Sequence, residues 1–153
     1  MSKPNLSFWK NKKVLVTGHT GFKGGWLCMI LNKLESKISG YALNPSGKNN
    51  FFNSVKVKNI LLNDFRKDIT DLKNFEKAVK TVKPEIVFHL AAQSSVIQSF
   101  KDSHDTVLSN IIGTANVLEV AKKYKFIKSI VIITTDKVYQ NYKQQKYFDE
   151  NSQ

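Results

Sequence analysis

The chain alternates short apolar runs with longer stretches whose apolar residues recur every three or four positions. Lys13 to Thr17 reads as a first strand. Phe22 to Leu34 reads as a helix, with Trp26, Leu27, Ile30, Leu31 and Leu34 on its apolar face. Ile38 to Leu43 predicts a second strand, ended by "NPSG", where Pro45 and Gly47 break extended pairing. A third strand is expected around Ile60 to Asn63. In the following "DITDLKNFEKAVKTVKP", Asp68 or Thr70 can cap a helix that turns Leu72, Phe75, Val79 and Val82 inward and stops at Pro84. Ile86 to Leu90 is almost wholly apolar, as expected of a strand covered by helices on both faces. A long helix from about Asp102 to Tyr124 carries Val107, Leu108, Ile111, Val117, Leu118 and Ala121, and Ser129 to Thr135 gives a fifth strand. The remaining "DKVYQNYKQQKYFDENSQ" is polar and offers no further apolar run.

Strands that alternate with helices in this way build βαβ units and a parallel sheet. Right-handed crossovers then lead to an α/β, Rossmann-type doubly wound sheet of order 3-2-1-4-5. The length of 153 residues suits one domain with a real core, spanning 1–153. The sheet is expected to be truncated, because the apolar runs stop after the fifth strand.

Between the first strand and the first helix stands "VTGHTGFKGGW", with Gly18, Gly21 and Gly24 at a spacing of three. Glycines in a strand-to-helix turn let the backbone approach a dinucleotide pyrophosphate, and the helix N-terminus supplies free N–H groups and the favourable end of its dipole. Gly18 permits the turn, Gly21 removes a side chain that would strike phosphate, and Gly24 lets the helix pack closely. A merely structural turn is the rival reading.

Composition changes this picture little. The formal charge of +12 raises nucleic acid as a partner, but Arg66 is the one arginine among 24 basic residues and the lysines are spread over every element. Without a basic stripe or arginine forks, a solvated lysine surface is expected and no nucleic acid partner. No run approaches the roughly 18 to 20 apolar residues of a membrane span, and the N-terminus lacks the apolar core of a signal peptide, so a cytoplasmic chain without a membrane partner is expected. The single cysteine, Cys28, reads as buried packing. His89 reads as a satisfied structural histidine, since no partners stand near it at metal-binding spacing, and no metal site is expected.

The glycine spacing GxxGxxG, the preceding "TG" and the "HLAA" after the fourth strand resemble the extended short-chain dehydrogenase family. The segments "GHTGFKGGW" and "TTDKVYQN", with "GYAL", "DITD", "KPEIVFHLAAQ" and "SNIIGTANVLE", resemble the N-terminal half of its CDP-glucose 4,6-dehydratases. The resemblance implies NAD as cofactor, held by Gly18, Gly21, Phe22, Lys23 and Gly24 at the pyrophosphate. It implies Asp68 and Ile69 at the adenine, with the Asp68 carboxylate accepting from the amino group, and Leu90, Ala91 and Ala92 under the ribose and nicotinamide side. Asn110 would help to order the catalytic region. It further implies a nucleotide-sugar substrate, CDP-glucose, a homodimer paired through the long helix, and a C-terminal substrate domain that this chain lacks.

The chemistry implied is oxidation at sugar C4, loss of water across C5 and C6, and return of the hydride to C6. Thr135 would hydrogen-bond the sugar near the C4 oxygen, Asp136 would protonate the departing C6 hydroxyl, and Lys137 would stand where the dTDP-glucose enzymes carry a glutamate base. Asp136 then needs a raised pKa and Lys137 a lowered one. The family's YxxxK pair would follow beyond "DENSQ". Tyr139 with Lys143 has that spacing but comes too early and lies in no helical register.

Two departures stand out. Asn44 occupies the position where a carboxylate would accept from the adenosine ribose hydroxyls of NAD, with Lys48 nearby, and "SSVIQSF" lacks the proline and arginine that commonly follow "HLAAQ". Two other functions stay open: another dehydratase or 4-epimerase of the family, and a non-catalytic dinucleotide-binding module.

Overall fold

The computed structural model describes residues 5–47, 49–135, 139–140, 147–149 and 151–152. Five strands, β1 (Lys13–Thr17), β2 (Lys37–Ala42), β3 (Asn63–Arg66), β4 (Ile86–His89) and β5 (Ser129–Ile132), form one sheet of order β3-β2-β1-β4-β5. Every pairing is parallel, with Val14 opposite Ile38 on one side and Ile86 on the other. The chain leaves β1 toward β2 and returns from β3 to the other side of β1, so the switch point lies between β1 and β4.

The side-chain alternation of β1 feeds two cores. Leu15 joins Tyr41, Phe75, Val79, Val87 and Val117 on the face covered by α3 (Leu72–Val82) and α6 (Gly113–Lys123). Val14 and Val16 join Cys28, Leu31, Ile38, Phe52 and Val57 on the face covered by α1 (Phe22–Lys33) and α2 (Phe51–Ser54). All three β1 residues are 0% exposed, which is why this strand can carry a rigid turn at its end. Cys28 is packing, as expected, and burial pushes its thiol up to about 12.

Several local expectations are corrected. β3 begins three residues later than Ile60, because Ile60 and Leu61 pack into the second core from a 3-10 turn while the strand itself is polar. Within it Asn63 donates to the Ser39 hydroxyl at 3.0 Å, so hydrogen bonds replace the apolar signal. The cap of α3 is Asp71, whose carboxylate accepts from Asn74 N–H at 3.0 Å. Asp68 is turned instead onto the N–H and hydroxyl of Thr70, both at 2.8 Å. The inward face of α1 is Gly24, Gly25, Cys28 and Leu31, leaving Trp26 and Ile30 about half exposed, at 49% and 53%.

The long helix is also more complex than its spacing suggests. A short α4 (Val96–Lys101) precedes it, and α5 (Ser103–Val107) runs through a π-helical turn at Leu108–Ile112 into α6. The wide turn inserts a residue into the helical phase. Val117 and Val120 are therefore buried, while Val107, Ile111 and Leu118 face outward.

Candidate functional site

The glycine turn opens at the carboxyl edge of the sheet. Gly18 has φ +72°, a conformation that disfavours any side chain, and an added Cβ would also lie 2.7 Å from the Ala91 nitrogen. Gly24 is equally fixed by the fold, since a Cβ there would run into the Gly18 carbonyl. Gly21 differs. Its φ of −76° suits any residue, and the nearest atom to an added Cβ, the Gly18 oxygen, is 3.3 Å away. Packing thus demands glycine outright at 18 and 24, whereas at 21 a Cβ would press the Gly18 oxygen by a few tenths of an ångström and meets no other described atom within 4 Å.

Gly21 is also the N-cap of α1, and no side chain caps that end. The first intrahelical bond is donated by Gly25 to the Gly21 carbonyl at 2.8 Å, so the N–H groups of Phe22, Lys23 and Gly24 precede the helical ladder. The turn carries no acidic residue in its first turn and is anchored from behind, Gly18 N–H donating to the Tyr41 carbonyl at 2.9 Å. A pre-formed set of N–H donors at a dipole end is suited to a phosphate or pyrophosphate.

Across the switch point, a chain of hydrogen bonds fixes the exit of β4. The Thr17 hydroxyl lies 2.7 Å from His89 Nδ1 and accepts from the N–H groups of Leu90 and Ala91 at 3.2 and 3.1 Å. With its acceptor positions used, that hydroxyl donates to Nδ1. His89 Nε2 therefore carries the proton and donates to the Thr114 hydroxyl at 3.0 Å, which donates to the Asn110 carbonyl at 2.7 Å. This assigns one neutral tautomer. His89 is 2% exposed, and desolvation lowers its pKa to about 4. The expectation of a satisfied structural histidine holds.

Asn110 sits in the π-helical turn and clamps the strand exit from the other side. Its Oδ1 accepts from Gln93 N–H at 2.7 Å and its amide donates to the Gln93 carbonyl at 2.9 Å. Leu90, Ala91 and Ala92 are thereby held between the Thr17–His89 pair and this clamp, alongside Gly18. The wide turn gives Asn110 a reason to stand inside a helix, where its side chain gains nothing intrinsically.

A second buried group escaped the sequence reading. His19, inside the glycine turn and 0% exposed, has its Nε2 2.9 Å from Asp64 Oδ1 on β3. Burial lowers its pKa, opposed by the hydrogen bond to Asp64. Asp64 also receives Arg66, Nε to Oδ1 and Nη2 to Oδ2, each at 2.8 Å. The ring fits only because Gly40 has no side chain, since a Cβ there would collide with it. The available signals, a histidine between glycines and an acid far along the chain on a polar edge strand, do not announce their pairing.

The other expected site residues divide. Asn44 is exposed just past β2, at the edge where the turn opens. Asp68 is exposed, its carbonyl held by the Tyr41 hydroxyl at 2.9 Å. The Ile69 side chain belongs to the first core at 6% exposure, and Asn116 fixes its carbonyl at 3.0 Å, so the backbone is what Ile69 presents near the edge. Thr135 is exposed beyond the end of β5. Asp136, Lys137, Lys48 and Lys143 lie outside the described residues.

Comparison with known proteins agrees with this geometry. Residues 15–153 match the family described as GDP-mannose 4,6 dehydratase. The chain is 41% identical to a CDP-glucose 4,6-dehydratase of Salmonella typhimurium, over 88% of this chain and 37% of that protein. It is 32% identical to a dTDP-D-glucose 4,6-dehydratase of Dictyostelium discoideum, over 84% of this chain and 30% of that one. The chain therefore spans about a third of the length of these curated relatives. Among solved structures, a UDP-glucose 4-epimerase of Stenotrophomonas maltophila with bound NAD shares the fold at TM-score 0.76 and 23% identity, covering 93% of this chain and 42% of that one. A Thermus thermophilus UDP-glucose 4-epimerase complex with NAD is 29% identical at TM-score 0.62, covering 72% and 34%. The chain belongs to the GDP-mannose 4,6 dehydratase family, among the sugar-nucleotide dehydratases and epimerases of the extended short-chain dehydrogenase type.

Proposed function

We propose that this chain is the NAD-binding part of a sugar-nucleotide 4,6-dehydratase acting on CDP-glucose. The observation that carries the cofactor reading is the glycine turn itself: Gly18 and Gly24 are demanded by close backbone contacts, and at Gly21 the helix begins with no side-chain cap and one close neighbour, the Gly18 oxygen, so its N–H groups stay open to a ligand. The residues present fit a dinucleotide. The N–H groups of Phe22, Lys23 and Gly24 would hold the pyrophosphate, and Asn44 would stand at the adenosine ribose. Asp68 and the Ile69 backbone would stand at the adenine, and Leu90, Ala91 and Ala92 under the ribose and nicotinamide side, kept in place through Asn110. The substrate reading rests on the 41% identity to the Salmonella CDP-glucose enzyme.

NAD, when bound, would accept a hydride from sugar C4 and return it to C6, leaving no net oxidation. The chain's own contribution would come from the segment after β5. Thr135 would orient the sugar through its C4 oxygen, Asp136 would give its proton to the departing C6 hydroxyl, and Lys137 would take the proton from C5. The pair must therefore reach the site as a neutral acid and a neutral amine, which desolvation of both favours. Turnover belongs to the whole protein, and the 153-residue chain is expected to bind NAD without dehydrating CDP-glucose. The exposed Ile111 and Leu118 on the long helix support a homodimer through that face.

The test uses a form of the protein as long as its relatives. Asp136→Asn and Lys137→Ala should keep cofactor binding, slow water loss, and let NADH absorbance build up when CDP-glucose is added. An unchanged rate of 4-keto-6-deoxy sugar formation in both would remove these residues from the chemistry and leave a 4-epimerase ahead.

A further inference from the structure

The two ends of the glycine turn are held by backbone. Gly18 is bound to β2 through the Tyr41 carbonyl at 2.9 Å and lies against Leu90 and Ala91, and Gly21 donates back to the Gly18 carbonyl at 3.0 Å. The middle of the turn is held differently. It is tied to the sheet through the His19 ring, whose Nε2 lies 2.9 Å from Asp64 Oδ1 on β3.

The direction of that bond follows from its neighbour. Asp64 takes Arg66 Nε on Oδ1 and Nη2 on Oδ2, both at 2.8 Å, which keeps it an ionised acceptor. His19 Nε2 therefore carries the proton and donates. Its Nδ1 has no hydrogen-bond partner among the described residues, so the bond to Asp64 is what orients the ring. Arg66 lies over Phe52, 4.5 Å from its centroid, and Phe52 meets the His19 ring edge-on at 5.6 Å. The acceptor is thus fixed by partners outside the turn, and the ring sits fully buried in a slot that Gly40 leaves open.

An apolar side chain of similar size would fill this slot without desolvating an imidazole. It would not fix the angle at which the turn leaves β1. That angle sets where the N–H groups of Phe22, Lys23 and Gly24 point. In the dinucleotide reading, on which this inference rests, those groups hold the pyrophosphate, and a turn free to shift must be ordered on binding at the cost of affinity.

We propose that His19 is the positioning residue of the glycine turn, latching it to β3 through the Nε2–Asp64 bond, with Arg66 holding Asp64 in place. The experiment is calorimetric titration of NAD into wild type, His19→Met and His19→Gln, at a temperature where circular dichroism shows each of them folded. Methionine fills the slot without a donor, while the glutamine amide stands close to the place of Nε2 and can donate to Asp64. His19→Met is expected to weaken NAD about tenfold or more, the scale of a lost hydrogen bond to a charged group, and His19→Gln to stay within about threefold of wild type. A folded His19→Met that binds NAD within about twofold of wild type, or His19→Gln as weak as His19→Met, overturns the proposal. A measurement on wild type alone covers a variant that does not fold. NMR of the imidazole nitrogens should find His19 as the neutral Nε2–H tautomer, with that proton protected from exchange; the Nδ1–H tautomer, or an unprotected Nε2 proton, overturns the latch as well. A wild type that binds no NAD overturns the dinucleotide reading beneath the proposal, whatever the tautomer.

Discussion

Replacing His89 by leucine should make the protein less stable at neutral pH and yet less sensitive to acid. The imidazole accepts from Thr17 and donates to Thr114, so it has no lone pair or lone proton to spare. Charging it requires a proton on Nδ1, facing a hydroxyl oxygen already occupied by the N–H groups of Leu90 and Ala91. Desolvation lowers the pKa to about 4, and a second proton on Nδ1 would also lose the hydrogen bond from the Thr17 hydroxyl. The folded state binds its proton about 2.5 pH units below the unfolded reference of 6.5, which corresponds to about 3 kcal/mol. Since the folded pKa is depressed for a base, that stability is present above pH 6.5 and is lost as pH falls toward 4. His89→Leu leaves the Thr17 hydroxyl without its acceptor, costing about 1–3 kcal/mol at pH 7. Urea unfolding followed through Trp9 and Trp26 fluorescence should give a wild-type stability that falls about 3 kcal/mol more than the variant's between pH 7 and pH 4. The lowered pKa of His19 acts in the same window in both proteins and cancels from the difference. Parallel pH profiles, agreeing within about 0.5 kcal/mol, would refute the assigned tautomer and its network.

Asn110→Ala should release the segment after β4, raising amide exchange at Leu90 to Gln93 well above wild type while leaving β1 protected, and unchanged exchange there would deny the clamp. Leu15→Ala, at a site with 0% exposure, should cost about 2–5 kcal/mol by chemical denaturation. Gly40→Ala should displace His19 and destabilise by more than about 1 kcal/mol, with near-native stability showing that the ring can move aside. Sedimentation of the 153-residue chain should show concentration-dependent pairing through the exposed face of Ile111 and Leu118, and a monomer at every concentration would count against that face.

The sheet order and the glycine turn were legible because they depend on patterns that one sequence displays: short unbroken apolar runs in β1 and β4, and glycine where backbone must meet backbone. His89 was legible for a related reason, as a polar residue closing an apolar strand must find partners in the core. β3 was misplaced because its stabilisation is polar, through Asn63 to Ser39 and Asp64 to His19, which hydropathy does not register. The face of α1 was misjudged because Gly24 and Gly25 form its inward surface, and the large apolar residues Trp26 and Ile30 then fall outside. The π-helical turn was invisible for another reason. It is fixed by Asn110 reaching a backbone seventeen residues away, a tertiary contact with no local signature.

The central claim is that the space in front of Gly21 belongs to a cofactor phosphate, and calorimetric titration of NAD into wild type and Gly21→Val measures it most directly. The backbone at Gly21 suits a side chain, and the Gly18 oxygen 3.3 Å from an added Cβ must give by a few tenths of an ångström, so the variant should fold with a loss of about 1–3 kcal/mol from that contact and the poorer N-cap. Its circular dichroism should match wild type, while NAD affinity should fall at least about tenfold as the branched side chain enters the phosphate space. Equal NAD affinity in two folded proteins would contradict the assignment of this turn.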